Sequence, residues 1–351
     1  MATPPEPPYP GTGPTPPGQP GPGPAQPLPA PDDLDYQHAP GSRVHLRAHQ
    51  RGTDAAALGR LALHVPGFLI SLLSVLLVTW LLDESVGLPY WILALLWVLS
   101  GALVFHRPTE DFFARHLLGL RRPMPWETAR LAPVWREVTA RAGVDGSRYE
   151  LWIENSQDLN AYAAAGHIVG VTRYALEQLP SAQLAAVLAH ELGHHTGGHA
   201  WSSLLGYWYA LPGRIAWRTV REVVLFVITF ASRLSWLATT VLLAVIGTVA
   251  VATVAELYGT PLLLPTLPYL MAAVGRRSEL RADEYAAVHG FGPKLAEVLQ
   301  MLHSADQQTL LSATPLGSPK TRTGPLSRLL SDHPDYPTRL LRLQPYLRPG
   351  R

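Results

Sequence analysis

The chain has 351 residues, of which 47% are hydrophobic and 15% are charged, well below the roughly 25% charged residues of soluble proteins. Its formal net charge of +2 gives no large basic excess, and nothing in the sequence indicates a nucleic-acid partner. The absence of cysteine excludes disulfides and thiolate metal sites, so any zinc site must be built from histidine and carboxylate side chains.

The first segment, residues 1–57, is rich in proline and glycine. Its proline-rich part has too few bulky apolar side chains to offset the entropy lost on ordering. We therefore predict a disordered cytoplasmic tail. A proline-rich segment of this kind can also serve as a ligand for a partner domain, but its composition favours a solvated spacer.

A first transmembrane hairpin is predicted over residues 58–106. Residues 61–82 and 88–105 form two long apolar runs, and each has the length or composition expected of a membrane helix. Arginines precede and follow the pair but are absent from the loop between the runs. The positive-inside rule then predicts that both ends of the hairpin lie in the cytoplasm.

The first part of a catalytic domain is predicted over residues 107–200. A helix is indicated at 126–142, and strands are indicated at 149–153, 161–164 and 167–172. The last two strands are joined near a glycine and form a small hairpin. A helix follows them, so this part has an α+β composition.

The helix that follows carries the sequence His190-Glu191-Leu192-Gly193-His194. The apolar residues before it recur at helical spacing, and a proline–serine pair marks the start of the helix. On a helix, positions i and i+4 share one face, so both imidazoles can bind one metal ion. The intervening glutamate is then placed to act as general base on metal-bound water. The motif predicts the first two ligands and the base of a zinc hydrolase.

A second membrane region is predicted over residues 201–277. We place a second transmembrane hairpin there, with limbs near 234–255 and 258–275. Glu279, a candidate third ligand, follows this region. It can reach the two histidines only if the chain crosses the membrane an even number of times between them. The region therefore predicts two crossings and a return to the side of the motif.

The second part of the catalytic domain is predicted over residues 278–351, with a mobile loop rich in small and polar residues at 304–325. Glu279 and Asp283 lie four residues apart and share one face of a predicted helix. Glu279 can serve as the third zinc ligand while Asp283 orients a ligand histidine. Alternatively, both pair with neighbouring arginines on a solvated helix face. Spacing alone does not decide between these interpretations.

His199 is a further histidine close to the motif, after Gly197 and Gly198. On a continuous helix its side chain would point away from the face that carries the two ligand histidines. We therefore do not assign it as a ligand.

Four segments occur in an order that resembles one protein family. They are the motif His190 to His194, the strand Asn160-Ala161-Tyr162-Ala163, the segment Glu279-Leu280-Arg281-Ala282-Asp283, and the late His333-Pro334 with Arg339. Together they resemble the HtpX-like membrane zinc endopeptidases, whose relatives include the CAAX prenyl endopeptidases. The resemblance covers roughly residues 58–345 and leaves the proline-rich tail outside.

The resemblance implies roles for individual residues. It implies that Glu279 is the third ligand of one Zn²⁺ and that Asp283 supports the site. It implies that His333 hydrogen-bonds the oxyanion, although a turn before a helix would also explain this residue. The edge strand implied to hold the substrate backbone comprises Asn160, Ala161, Tyr162 and Ala163.

The sequence thus predicts a mainly α membrane protein with two transmembrane hairpins and a small α+β zincin-like domain that combines the motif helix with a short edge-strand sheet. The predicted function is zinc-dependent hydrolysis of polypeptides, including misfolded membrane proteins, in quality control or stress response. We expect a multi-pass protein of a bacterial plasma membrane with its termini and active site in the cytoplasm. The alternative is a non-proteolytic zinc-containing scaffold that recruits partners through its tail. A processing enzyme with one dedicated substrate would share the same chemistry.

Overall fold

The computed structural model describes residues 31–39, 41–42, 44, 46, 52–87, 89–116, 118–164, 166–258, 260–313 and 334–347. His333, the first thirty residues and positions 314–325 of the predicted loop lie outside the described residues. Most of the described chain is helical, and one small sheet interrupts the helices.

Eleven α-helices are described. They are α1 Ala55–Val86, α2 Tyr90–Ser100, α3 Arg107–His116, α4 Pro125–Ala142, α5 Arg173–Gln178, α6 Ser181–Thr196, α7 His199–Leu234, α8 Trp236–Glu256, α9 Leu267–Ala286, α10 Gly292–Ala313 and α11 Tyr336–Leu343. The helix predicted at 126–142 is confirmed as α4. A proline, Pro125, opens it at a position where its missing N–H leaves no helical hydrogen bond unmade.

Two of the described helices are long and apolar enough to cross a membrane, Ala55–Ser85 within α1 and Trp236–Glu256, which is α8. A third span is obtained if Tyr90–Phe105 is joined to α3, although the two parts meet at a bend of 82°. None of the 21 residues of α8 is buried by the protein. Since such an apolar surface is unfavourable in water, these helices support an integral membrane protein.

The second predicted hairpin is only partly observed. Its first limb corresponds to α8, but the limb predicted at 258–275 is divided into a 3₁₀-helix, Thr260–Thr266, and the first half of α9. Pro265 lies in the 3₁₀-helix and Pro268 in the first turn of α9, and neither can donate a helical hydrogen bond. The described residues therefore supply two or three candidate spans where four were predicted.

Four strands form one mixed sheet in the order β1-β2-β4-β3, with β1 Leu120–Arg121, β2 Glu150–Glu154, β3 Ala161–Ala164 and β4 Ile168–Thr172. β2 runs parallel to β4, and β3 runs antiparallel to β4. The three strands predicted from the sequence and the hairpin between the last two are confirmed, while the two-residue β1 was not predicted. β3 lies at the edge of the sheet.

The hydrophobic core lies between the sheet, α4, α6 and α10. The α6 residues Leu184, Leu188 and Leu192 are fully buried in it, as the helical spacing of the sequence predicts. The motif helix is therefore the central element of the catalytic region, with other elements packed around it.

Two segments predicted to lack order contact the fold. Within the predicted tail, the Asp33 carboxylate accepts a hydrogen bond from the first turn of α6 at Ala182 N, and Glu137 accepts hydrogen bonds from the backbone of Gln37 and His38. Within the predicted loop, α10 continues to Ala313. Composition underestimated the order of the first segment because it does not register docking onto a neighbouring helix, and part of the second is ordered as a continuation of α10.

Candidate active site

Three side chains from two helices converge into a group that could hold a metal ion. His190 and His194 project from α6 and Glu279 from α9, and one nitrogen or oxygen atom of each lies within 4.8 Å of the others. Glu279 Oε2 is 3.6 Å from His190 Nε2, and Glu279 Oε1 is 3.3 Å from His194 Nε2. The structure thus brings together the three residues predicted as ligands.

The approach of α9 to α6 depends on Gly193 within the motif. A Cβ atom built at this position would lie 3.0 Å from Ala282 Cα and 3.1 Å from Tyr285 Cβ. Both neighbours are fixed parts of α9, so they can move only if the helix moves. The absence of a side chain at Gly193 is what allows Glu279 to reach the two histidines.

We therefore predict that Gly193→Ala pushes α9 away from α6. Overpacking of this kind costs about 1–3 kcal/mol of stability. Because Glu279 moves with α9, metal affinity should fall as well. Thermal unfolding of the metal-free and the metal-loaded protein would check this result. The control is Gly247→Ala in α8, because nothing lies within 4 Å of the added Cβ there. A Gly193→Ala protein with wild-type stability and metal affinity would contradict the prediction.

Asp283 lies behind His190, one helical turn beyond Glu279. Its Oδ1 is 2.9 Å from His190 Nδ1, which favours the tautomer that leaves Nε2 available for a metal. Burial acts to raise the pKa of Asp283, but the partners Arg339 and His190 hold it below its ordinary value. The carboxylate is therefore charged and anchors the ligand histidine.

Arg339 of α11 holds this carboxylate in place. It donates to Asp283 through Nε at 2.8 Å and through Nη2 at 2.6 Å, and both residues are buried. Its Nη1 also lies 3.6 Å from Glu279 Oε2. The sequence placed Arg339 among the family motifs but did not reveal its partner, because the two residues are 56 positions apart.

Glu191 is buried beside the three side chains that could hold a metal. Burial raises the pKa of its carboxyl group to about 7, while the neighbouring His190 acts to lower it. The backbone of Ala163 also acts to lower the pKa of this carboxyl group. A carboxyl group with a pKa near neutrality is suited both to take up and to release a proton.

The edge strand β3 borders a cavity that the predicted ligands also line. Thr172 N donates to Asn160 O at the end of the ladder, so Asn160 and Tyr162 exchange hydrogen bonds with β4. The backbone groups of Ala161 and Ala163 consequently point away from β4. The cavity has a volume of about 800 Å³ and is also lined by His190, His194 and Glu279.

His199 lies closer to the site than the sequence predicted. α6 ends at Thr196, and α7 begins at His199 after Gly198, whose φ of +82° breaks the helical path. The continuous helix on which His199 would point away is therefore not formed, and His199 lies beside the group of three side chains that could hold a metal without belonging to it. Its Nδ1 lies 3.3 Å from His194 Nδ1 and 2.7 Å from Ser278 Oγ. The pair Gly197-Gly198 was the sequence signal for this turn.

The sequence and the fold were compared with known proteins. Residues 125–346, more than half of the chain, match peptidase family M48. No curated protein matches the sequence significantly. Among solved structures, the crystal structure of S. mikatae Ste24p is similar at 14% sequence identity and a TM-score of 0.42, over 77% of this chain and 61% of that chain. This chain thus spans less than two thirds of the length of Ste24p. The family match confirms the resemblance that the motifs indicated: the chain belongs to peptidase family M48.

Proposed function

We propose that this protein is a zinc-dependent integral-membrane endopeptidase. The observation that carries the proposal is the convergence of His190, His194 and Glu279 around Glu191, in a chain that belongs to a peptidase family and has candidate membrane helices. We propose misfolded membrane and cytoplasmic proteins as its substrates and the cytoplasmic face of a bacterial plasma membrane as the location of its active site.

The donor set fits zinc. Ligand atoms about 2.0–2.1 Å from a tetrahedral ion are separated by about 3.3 Å from one another. The two distances from Glu279 to the histidine nitrogens, 3.3 and 3.6 Å, agree with this spacing. When bound, zinc supplies a Lewis acid and lowers the pKa of water at the fourth position.

Glu191 is the proposed general base and acid. It lies on the same helix as the two histidines, and its burial favours a pKa close to neutrality. It can remove a proton from the attacking water and later deliver it to the leaving amine. A structural metal site would have no need of a buried carboxylate at this position, so Glu191 argues against the scaffold alternative.

The backbone of β3 is the proposed binding site for an extended substrate. Ala161 and Ala163 direct backbone groups away from β4, so a peptide can add as a further strand. Asn160 and Tyr162 complete the predicted segment and hold it against β4. This arrangement would place the peptide next to Glu191, since β3 and Glu191 line the same cavity. His333 is proposed to donate to the oxyanion, and this role stays a prediction.

The function is tested by measuring the metal content and casein cleavage of the detergent-purified full-length chain. We expect one zinc per chain and hydrolysis that stops with a chelator and returns when zinc is added. Bound zinc without chelator-sensitive cleavage would favour the scaffold alternative.

We further predict that Glu279→Ala reduces zinc affinity by at least about 100-fold. Removing a residue that only hydrogen-bonds a ligand already lowers metal affinity by about 10–100-fold, and Glu279 is proposed to bind the metal itself. Competition with a chromogenic zinc chelator measures this change. The control is Glu284→Ala. It removes a carboxylate from the same helix, and that carboxylate accepts a hydrogen bond from Tyr346 and does not contact the site. Unchanged affinity in Glu279→Ala would assign the third ligand to another residue.

A further inference from the structure

A chain of polar side chains extends from His194 to the start of the first membrane helix. His194 Nδ1 lies 3.3 Å from Ser278 Oγ, and Ser278 Oγ lies 2.7 Å from His199 Nδ1. On its far side, His199 Nε2 lies 2.9 Å from Asp54 Oδ1. Ser278 and His199 are 2% and 3% exposed, so these groups satisfy one another away from solvent.

Asp54, the last residue of this series, sets the direction of every hydrogen bond in it. The Asp54 carboxylate can only accept, so His199 Nε2 donates to it. In neutral His199 the other nitrogen, Nδ1, then accepts, and the Ser278 hydroxyl donates to it. The oxygen of Ser278 is left to accept from His194 Nδ1–H. The proton of His194 is thereby held on Nδ1, and its Nε2 faces Glu279 with a free lone pair.

Asp54 is itself fixed by three elements. It is the N-cap residue of α1, where Oδ1 accepts from Ala57 N at 2.7 Å, and Oδ2 accepts from Arg281 Nη1 of α9 at 2.5 Å. Its own backbone N–H donates to Gly197 O at the end of α6. The start of α1 is therefore joined to both helices that carry the predicted ligands.

The two histidines of the motif are supported differently. His190 contacts the Asp283 carboxylate directly, whereas the nearest polar partners of His194 Nδ1 are neutral groups. A hydroxyl alone can donate or accept, so it does not determine the tautomer of a neighbouring imidazole. The acceptor-only Asp54, acting through His199, removes that ambiguity.

We propose that Ser278, His199 and Asp54 are positioning residues that hold His194 in its metal-binding tautomer and couple the metal site to the N-terminus of the first membrane helix. This inference rests on the proposed zinc site. Ligand histidines generally donate their second ring N–H to a fixed partner, and loss of that partner lowers metal affinity by about 10–100-fold. The same loss is expected when Ser278 is removed.

The test measures the zinc dissociation constant of the full-length chain by chelator competition, together with the thermal midpoint of the metal-free protein. Ser278→Ala should raise the dissociation constant about 10–100-fold. Ser202→Ala is the matched control, because this buried hydroxyl bonds only the carbonyl of His199 within its own helix. Its zinc affinity should equal that of the wild type.

Asp54→Asn provides a second variant that preserves the fold, since asparagine caps helices as well as aspartate does. It keeps an acceptor for His199 but loses the charge, and charge-assisted hydrogen bonds are about twice as strong as neutral ones. A smaller loss of affinity, roughly 3- to 10-fold, is expected with little change in the metal-free midpoint. This variant decides the question if Ser278→Ala does not fold.

The proposal is overturned if Ser278→Ala and Asp54→Asn both bind zinc as the wild type does, or if Ser202→Ala weakens binding as much as Ser278→Ala. A wild-type chain that binds no zinc would instead reject the proposed function. The two failures are therefore distinguishable in the same experiment.

Discussion

Replacing Glu191 with glutamine is expected to reduce peptide hydrolysis by about 10²–10⁴-fold while zinc stays bound, because positioned general acid–base groups contribute that range. Glutamine has the shape of glutamate, but it cannot take up the proton of the attacking water. The fold and the predicted ligands on α6 should be unaffected. The measurement is casein cleavage per zinc-loaded chain.

The control for this variant is Glu177→Gln. Glu177 lies on α5 and pairs with Arg173, so the substitution removes a negative charge without touching the cavity. It should cleave at the wild-type rate. Retained cleavage in Glu191→Gln would reject Glu191 as the base. Loss of zinc from that variant would show that Glu191 contributes to metal binding instead. Comparing the proteomes of cells expressing the wild type and Glu191→Gln would then identify substrates.

The parts of this molecule that follow local rules could be predicted from the sequence. The spacing of apolar residues predicted α6, the segment 126–142 was predicted to be helical, and two short strand-like segments joined near Gly166 predicted the hairpin of β3 and β4. The motif geometry predicted that His190 and His194 share a face. Spacing left the role of Glu279 open, since a helical carboxylate can equally pair with arginine, and only the packing of α9 against Gly193 brings it to the histidines.

The parts that depend on distant contacts could not be predicted. The position of His199 beside His194 could not be predicted because the turn at Gly198 redirects the chain, and its partner Asp54 is 145 residues away. Residues 31–38 were interpreted as part of a disordered tail because proline-rich composition hides the docking of Asp33 onto α6. In each case a long-range contact satisfies polar groups that a local pattern treats as solvated.

Arg339→Met is expected to destabilise the metal-free protein by about 3–5 kcal/mol, the usual cost of removing one partner of a buried ion pair. Asp283 is 0% exposed, and the substitution leaves its carboxylate buried without the two hydrogen bonds that the guanidinium donates. Chemical or thermal unfolding measures the loss. Arg342→Met on the same helix is the control, because Arg342 is exposed and exposed substitutions usually change stability by less than about 0.5 kcal/mol.

The double variant Asp283→Leu/Arg339→Met distinguishes the contribution of this ion pair to stability from its contribution to zinc affinity. Replacing both members of a buried pair with apolar side chains is often neutral, so the double variant should be more stable than Arg339→Met alone. Zinc affinity should nevertheless stay about 10–100-fold below the wild type, because His190 has lost the carboxylate beside its Nδ1. If stability and zinc affinity instead recovered together, Asp283 would serve only to neutralise Arg339, and the orientation of His190 would have to come from the helix itself.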